Sequence, residues 1–77
     1  MNKHRRKRLK DIHTRLSDTV EELRMIANEE EEYRDNMPEN LQNSERYDAA
    51  DTAAYNINDA ADQIEHALDP LQETFES

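Results

Sequence analysis

Glycine, cysteine and tryptophan are absent from the 77 residues, and proline occurs only at Pro38 and Pro70. Without cysteine there are no disulfides and no thiolate metal sites, and nothing calls for an oxidising compartment. Without glycine no phosphate-cradling loop can be assembled, and no glycine breaks the interior of a helix. The basic opening at residues 1–8 resembles the start of a secretory signal. No apolar run of signal-peptide or membrane-spanning length follows it, so a soluble, cytoplasmic protein with no membrane partner is expected. His4, His13 and His66 lack ligand spacing, and no Ser-His-Asp set can be drawn. Glu29 and Glu32 sit three apart with no accompanying histidine, as a di-metal bundle site would need. The expectation is therefore no enzyme activity, no metal and no cofactor.

What the chain has is charge, and it is polarised. The totals are 10 Lys+Arg against 19 Asp+Glu, a net of −9. Lys3, Arg5, Arg6, Lys7, Arg8, Lys10 and Arg15 face only Asp11 within residues 1–16, while the remainder is strongly acidic. Charge of this kind speaks to association and solubility rather than to fold.

Helical periodicity supplies the fold. Leu9, Leu16, Leu23 and Glu30 form one heptad row, and Ile12, Thr19, Ile26 and Tyr33 a second. From Tyr47 onward the rows Tyr47, Ala54, Ala61, Leu68, Phe75 and Ala50, Ile57, Ile64, Leu71 contain no charge. Alternating steps of three and four keep each row on one face, the coiled-coil pattern. The spacing predicts a single all-α domain over residues 1–77, an antiparallel two-helix hairpin. Its parts are helix 1 over about residues 3–34, a hinge over about 35–44 and helix 2 over about 45–75, continuing with a kink through Pro70. Pro38 disfavours helical geometry at Met37, Asn36 can turn, and Asn43 or Ser44 can cap the second helix. Met37 and Leu41 are expected to fold back and plug the end of the hairpin. If the two seams face each other, Leu9 meets Leu71 and Tyr33 meets Tyr47, with every facing pair centred on Asn40.

At this size one seam is a small core, and self-association is expected to enlarge it. The third row of helix 2, Ala53, Ala60 and Ala67, suits the close approach of another helix, with Val20 and Ala27 flanking the seam of helix 1. A homodimer forming a four-helix bundle is the simplest use for these residues. In the centred register the basic arm, Lys3, Arg5, Arg6, Lys7, Arg8 and Lys10, lies near Glu65, Asp69, Glu73 and Glu76. A partly paired, solvated arm is then expected, and nucleic-acid binding through it, although available to such a strip, is not favoured. Residues 29–32 put four glutamates at the negative end of helix 1, where the dipole opposes them, with the positive end of helix 2 expected beside them. Read functionally, Glu29, Glu31 and Glu32 form an acidic face that imitates a phosphate backbone.

The stretch from Glu29 to Tyr47, EEEEYRDNMPENLQNSERY, resembles the hinge of small helical-hairpin proteins of bacteriophages and mobile elements of Gram-positive bacteria. The likeness extends to the preceding basic stretch and the following alanine-rich helix. That family brings no activity with it. The resemblance implies a phage or mobile-element origin, hence host-cell cytoplasm, and small proteins of that origin are often inhibitors of host defences, anti-CRISPR proteins among them. The leading expectation is a non-enzymatic protein-protein interaction module whose hinge residues Tyr33, Asn36, Met37, Pro38, Leu41 and Tyr47 contact a protein partner. An acidic nucleic-acid mimic that inhibits a defence enzyme, and a nucleic-acid binder working through the basic arm, are the alternatives. The hinge residues would equally serve to seal the turn.

Overall fold

A computed structural model describes all of residues 1–77. It contains two long helices, α1 (Lys3–Asp35) and α2 (Glu45–Glu76), joined through one 3-10 turn at Glu39–Leu41. They fold back on each other into an antiparallel hairpin of about 60 × 14 × 12 Å. Each helix starts on a side-chain cap. Asn2 accepts from the Arg5 amide at 2.8 Å, and Ser44 from the Tyr47 amide at 3.3 Å, satisfying one otherwise orphaned donor apiece. Asn36 ends α1, its amide donating to the Glu32 carbonyl at 2.9 Å. Pro38 then holds an extended backbone that cannot continue the helix. α2 runs unbroken through Pro70.

The seam of α2 follows the uncharged rows: Ala50, Ala54 and Ala61 are buried, and Tyr47, Ile57, Ile64, Leu68, Leu71 and Phe75 are half-buried. The seam of α1 departs from expectation in one of its two rows. Leu9, Leu16, Leu23 and Glu30 do face α2. The second row, however, is His13, Val20, Ala27 and Arg34, each one position after the residue expected. Ile12, Ile26 and Tyr33 stay 39%, 47% and 50% exposed, and Thr19 is also outside. Val20 and Ala27, expected beside the seam, are in it.

The register departs too. Centring on Asn40 would put Arg24 opposite Asn56 and Arg34 opposite Arg46. Instead Arg24 pairs with Asp62 at 2.9 Å and with Glu65, and Arg34 reaches Asp51 at 2.5 Å. Glu31 accepts from Asn58 at 3.2 Å, and His13 packs edge-on against Phe75 with ring centroids 5.4 Å apart. Each partner lies five to nine residues further along α2 than the centred register allows. Two physical terms favour the shift. It replaces an Arg34–Arg46 confrontation with ion pairs, and it sets Ala27 opposite Ala61, both fully buried, so the backbones can approach closely there.

The shift has a geometric consequence at each end. The first turn of α2 lies level with the connection rather than with α1, and contact with α1 begins at Ala50 and Asp51. At the other end α1 runs on past the last turn of α2: from His13, level with Phe75, to Lys3 is ten residues, roughly 15 Å of helix. Five residues in the chain are buried, all small or medium apolar (Val20, Ala27, Ala50, Ala54 and Ala61). That is a thin core for a free-standing domain. No helix is long and apolar enough to cross a membrane.

Candidate functional site

The larger of two concave features of the hairpin lies at its hinge; the smaller, of about 260 Å³, is lined by Met1, Arg5, Arg8, Leu9 and Ile12. Where α1 ends, Pro38 turns the chain outward and the 3-10 turn brings it back, leaving a groove between the last turn of α1 and the first of α2. Its volume is about 770 Å³, and its walls are Tyr33, Asn36, Met37, Pro38, Leu41, Ser44, Glu45 and Arg46. Tyr33, Met37, Pro38 and Leu41 supply an apolar floor. The Asn36 amide and the Glu45 and Arg46 side chains rim it with one neutral and two charged polar groups. Leu41 remains 43% exposed, so the end of the hairpin is only partly plugged; Met37 is the more covered of the two. An apolar floor with a few convergent polar groups is the usual composition of a binding site.

Of the six hinge residues singled out from sequence, five line this groove. Tyr47 does not: it is half-buried in the seam row with Ala50 and Ala54, its amide held by Ser44. Ser44, Glu45 and Arg46 belong to the groove and were not proposed as contacts. The signal for them was the cap at Ser44, which fixes where α2 starts and so brings its first turn to the rim.

The charged clusters are arranged differently from expectation. No residue of the basic arm makes an ion pair; the four ion pairs in the chain belong to Arg24 and Arg34. The arm is unpaired because the register carries it beyond Asp69, Glu73 and Glu76, and Glu65 is taken by Arg24. Of the acidic face, Glu29 and Glu32 are exposed, while Glu31 is half-buried and bonded to Asn58. The positive end of α2 is not beside these glutamates. Asn58, which contacts Glu31, is thirteen residues, roughly 20 Å, from the first residue of α2.

Arg34 and Arg24 organise one side of the hairpin. Hydrogen bonds to Asp35 and then Asp51 raise the pKa of the Arg34 guanidinium above its usual value, and bonds to Asp62 and then Glu65 do the same for Arg24. Both guanidiniums therefore stay charged across any ordinary pH, and their contacts mark the register of the two helices. His13 Nε2 is buried without a hydrogen-bond partner, a small defect in the seam. The opposite broad side holds Ile12, Thr19, Ile26 and Tyr33 of α1. Helical geometry puts Ala53, Ala60 and Ala67 of α2 on this same side, across the seam from the ion pairs. Ala53 is half-buried there, and Ala60 and Ala67 are exposed.

Fold and groove together define a class of molecule: an antiparallel helical hairpin with an open, apolar-floored groove at its hinge. No family model matches the chain, and no curated protein or solved structure shows significant similarity to it.

Proposed function

We propose that the chain is a non-enzymatic interaction module that binds a protein partner in the hinge groove. The observation that supports this reading is the groove itself, with half-exposed Tyr33 and Leu41 on the floor and Asn36, Glu45 and Arg46 at the rim. An aromatic and an aliphatic side chain left open beside one another accept an apolar anchor from a partner, and the charged rim fixes its orientation. The resemblance of the hinge segment implies a phage or mobile-element origin, in keeping with a protein partner in the host cell.

The test compares wild type with a Tyr33→Ala, Leu41→Ser double variant, both tagged and purified from the native host with mass spectrometry of what co-elutes. Both residues are exposed, so helicity by circular dichroism should be unchanged while the specific partner is lost. A partner retained by the variant rejects the groove as the contact.

A second reading, nucleic-acid binding through Lys3, Arg5, Arg6, Lys7, Arg8 and Lys10, is favoured by one observation: none of these bases is neutralised within the chain. It predicts duplex affinity that falls steeply as salt rises and disappears on deleting residues 1–8. Absence of binding at low salt excludes it.

A further inference from the structure

We infer that the broad side carrying Ile12, Thr19, Ile26 and Tyr33 is a two-fold interface occupied by a second copy of this chain, α1 antiparallel to α1 with Thr19 on the axis. It meets the hinge groove at Tyr33, which borders both, and the two are told apart by Leu41→Ser, which touches the groove alone, and by the charge reversals below, which touch the face alone. Three observations support it.

The first is the symmetry of the row. Thr19 is the midpoint of Lys3–Asp35. In an antiparallel pair centred there, Ile12 meets Ile26 of the second copy, Thr19 meets Thr19, and Arg5 meets Tyr33, a cation over an aromatic face. The next row outward is Arg8, Arg15, Glu22 and Glu29, with both bases at one end and both acids at the other. That centre brings Arg8 within one residue of level with the second copy's Glu29, and Arg15 within one residue of level with its Glu22. None of the four makes an ion pair within its own chain. A parallel pair would instead oppose base to base and acid to acid.

The second is the agreement of α2. Because Arg24 pairs with Asp62 and Glu65, five residues back along α1 and five forward along α2 bring Thr19 level with residues 67–70, where Ala67 is the residue on this side. An axis through Thr19 then also passes Ala67, setting Ala67 against Ala67 and Ala60 against Thr74 of the second copy, a strip of small residues where two helices come close. Ala53 falls outside the overlap.

The third is the need for a neighbour. α1 keeps its bases at its positive end and its glutamates at its negative end, and the observed register leaves both without compensation from α2. An antiparallel second α1 brings opposite charge and opposite dipole to both ends. It would also thicken a core of only five buried residues.

The experiment is sedimentation equilibrium of the full chain and charge variants. Wild type should sediment as a dimer of the 9.1 kDa chain. Arg8→Glu with Arg15→Glu, and separately Glu22→Arg with Glu29→Arg, should each weaken self-association on the order of tenfold or more, and an equimolar mixture of the two should recover a heterodimer. Orientation is read by oxidation: Ile12→Cys chains mixed with Ile26→Cys chains should form the mixed disulfide, with little linkage of either to itself. All of these positions are exposed in the hairpin, so helicity serves as the folding control. A wild type that stays monomeric to about 100 µM, a dimer indifferent to both charge reversals, or Ile12→Cys linking to itself would overturn the inference.

Discussion

Truncating Val20 to alanine tests the seam of α1 where sequence and structure disagree. Val20 is 6% exposed, and its neighbour Thr19, which the heptad row had placed inside, is exposed. Removing two buried methyl groups costs about 1.6 kcal/mol in transfer energy at roughly 0.8 per carbon. The residual cavity adds a few tenths more, limited because a seam one residue from solvent collapses readily. The better helix propensity of alanine returns about 0.5 kcal/mol, leaving a net loss of about 1.5 kcal/mol. For a domain of this size that lowers the melting temperature by about 6–12 °C. Thr19→Ala exchanges the 2.8 Å hydrogen bond from Oγ1 to the Arg15 carbonyl for better helix propensity, and should stay within about 0.5 kcal/mol of wild type. Thermal unfolding followed by far-UV circular dichroism, with both variants compared at one protein concentration, separates the two. A Thr19→Ala protein that melts below the Val20→Ala protein refutes the seam described above.

Three further substitutions have defined outcomes. Ala61→Leu forces extra volume between helices where Ala61 is 0% exposed, and should cost about 1–3 kcal/mol in urea unfolding; a neutral result would mean the backbones are not in close approach there. His13→Leu removes a buried nitrogen that has no partner while keeping the contact with Phe75, and should stabilise by about 1 kcal/mol, read from the same denaturation curves. Asn2→Ala removes the cap on the Arg5 amide, and should speed hydrogen exchange in the first turn of α1 while shifting stability by no more than about 1 kcal/mol; protection unchanged through Arg8 would show the cap to be idle.

Two antiparallel helices were legible because each problem they pose has a local answer. α2 carries uncharged rows from Tyr47 to Phe75, and Pro38 and Ser44 punctuate the turn. In α1 the sequence offered two acceptable companions for the leucine row. Ile12, Thr19, Ile26 and Tyr33 looked the more hydrophobic, yet His13, Val20, Ala27 and Arg34 are inside. Side-chain hydrophobicity ranks these rows one way, and close packing against alanines ranks them the other. The choice is made by contacts between positions some twenty to forty residues apart, such as Arg34 with Asp51 and Arg24 with Asp62, which no heptad count contains. The groove was largely legible because turn chemistry and its lining coincide at Asn36, Met37 and Pro38. Tyr47 was misassigned to it because the seam row and the hinge overlap at that residue. The unpaired state of the basic arm was not legible, since it follows from the register.

The way α2 begins has an implication for how this chain tolerates change. Its opening turn lies level with the connecting segment, and the guanidinium contacts begin beyond that turn, at Asp51, rather than in the bend itself. Residues added or removed between Pro38 and Asn43 would therefore reshape the cleft at that tip while the interlocked middle kept its alignment. The form of the bend and the gauge of the rod are decoupled, so that one can change while the other holds.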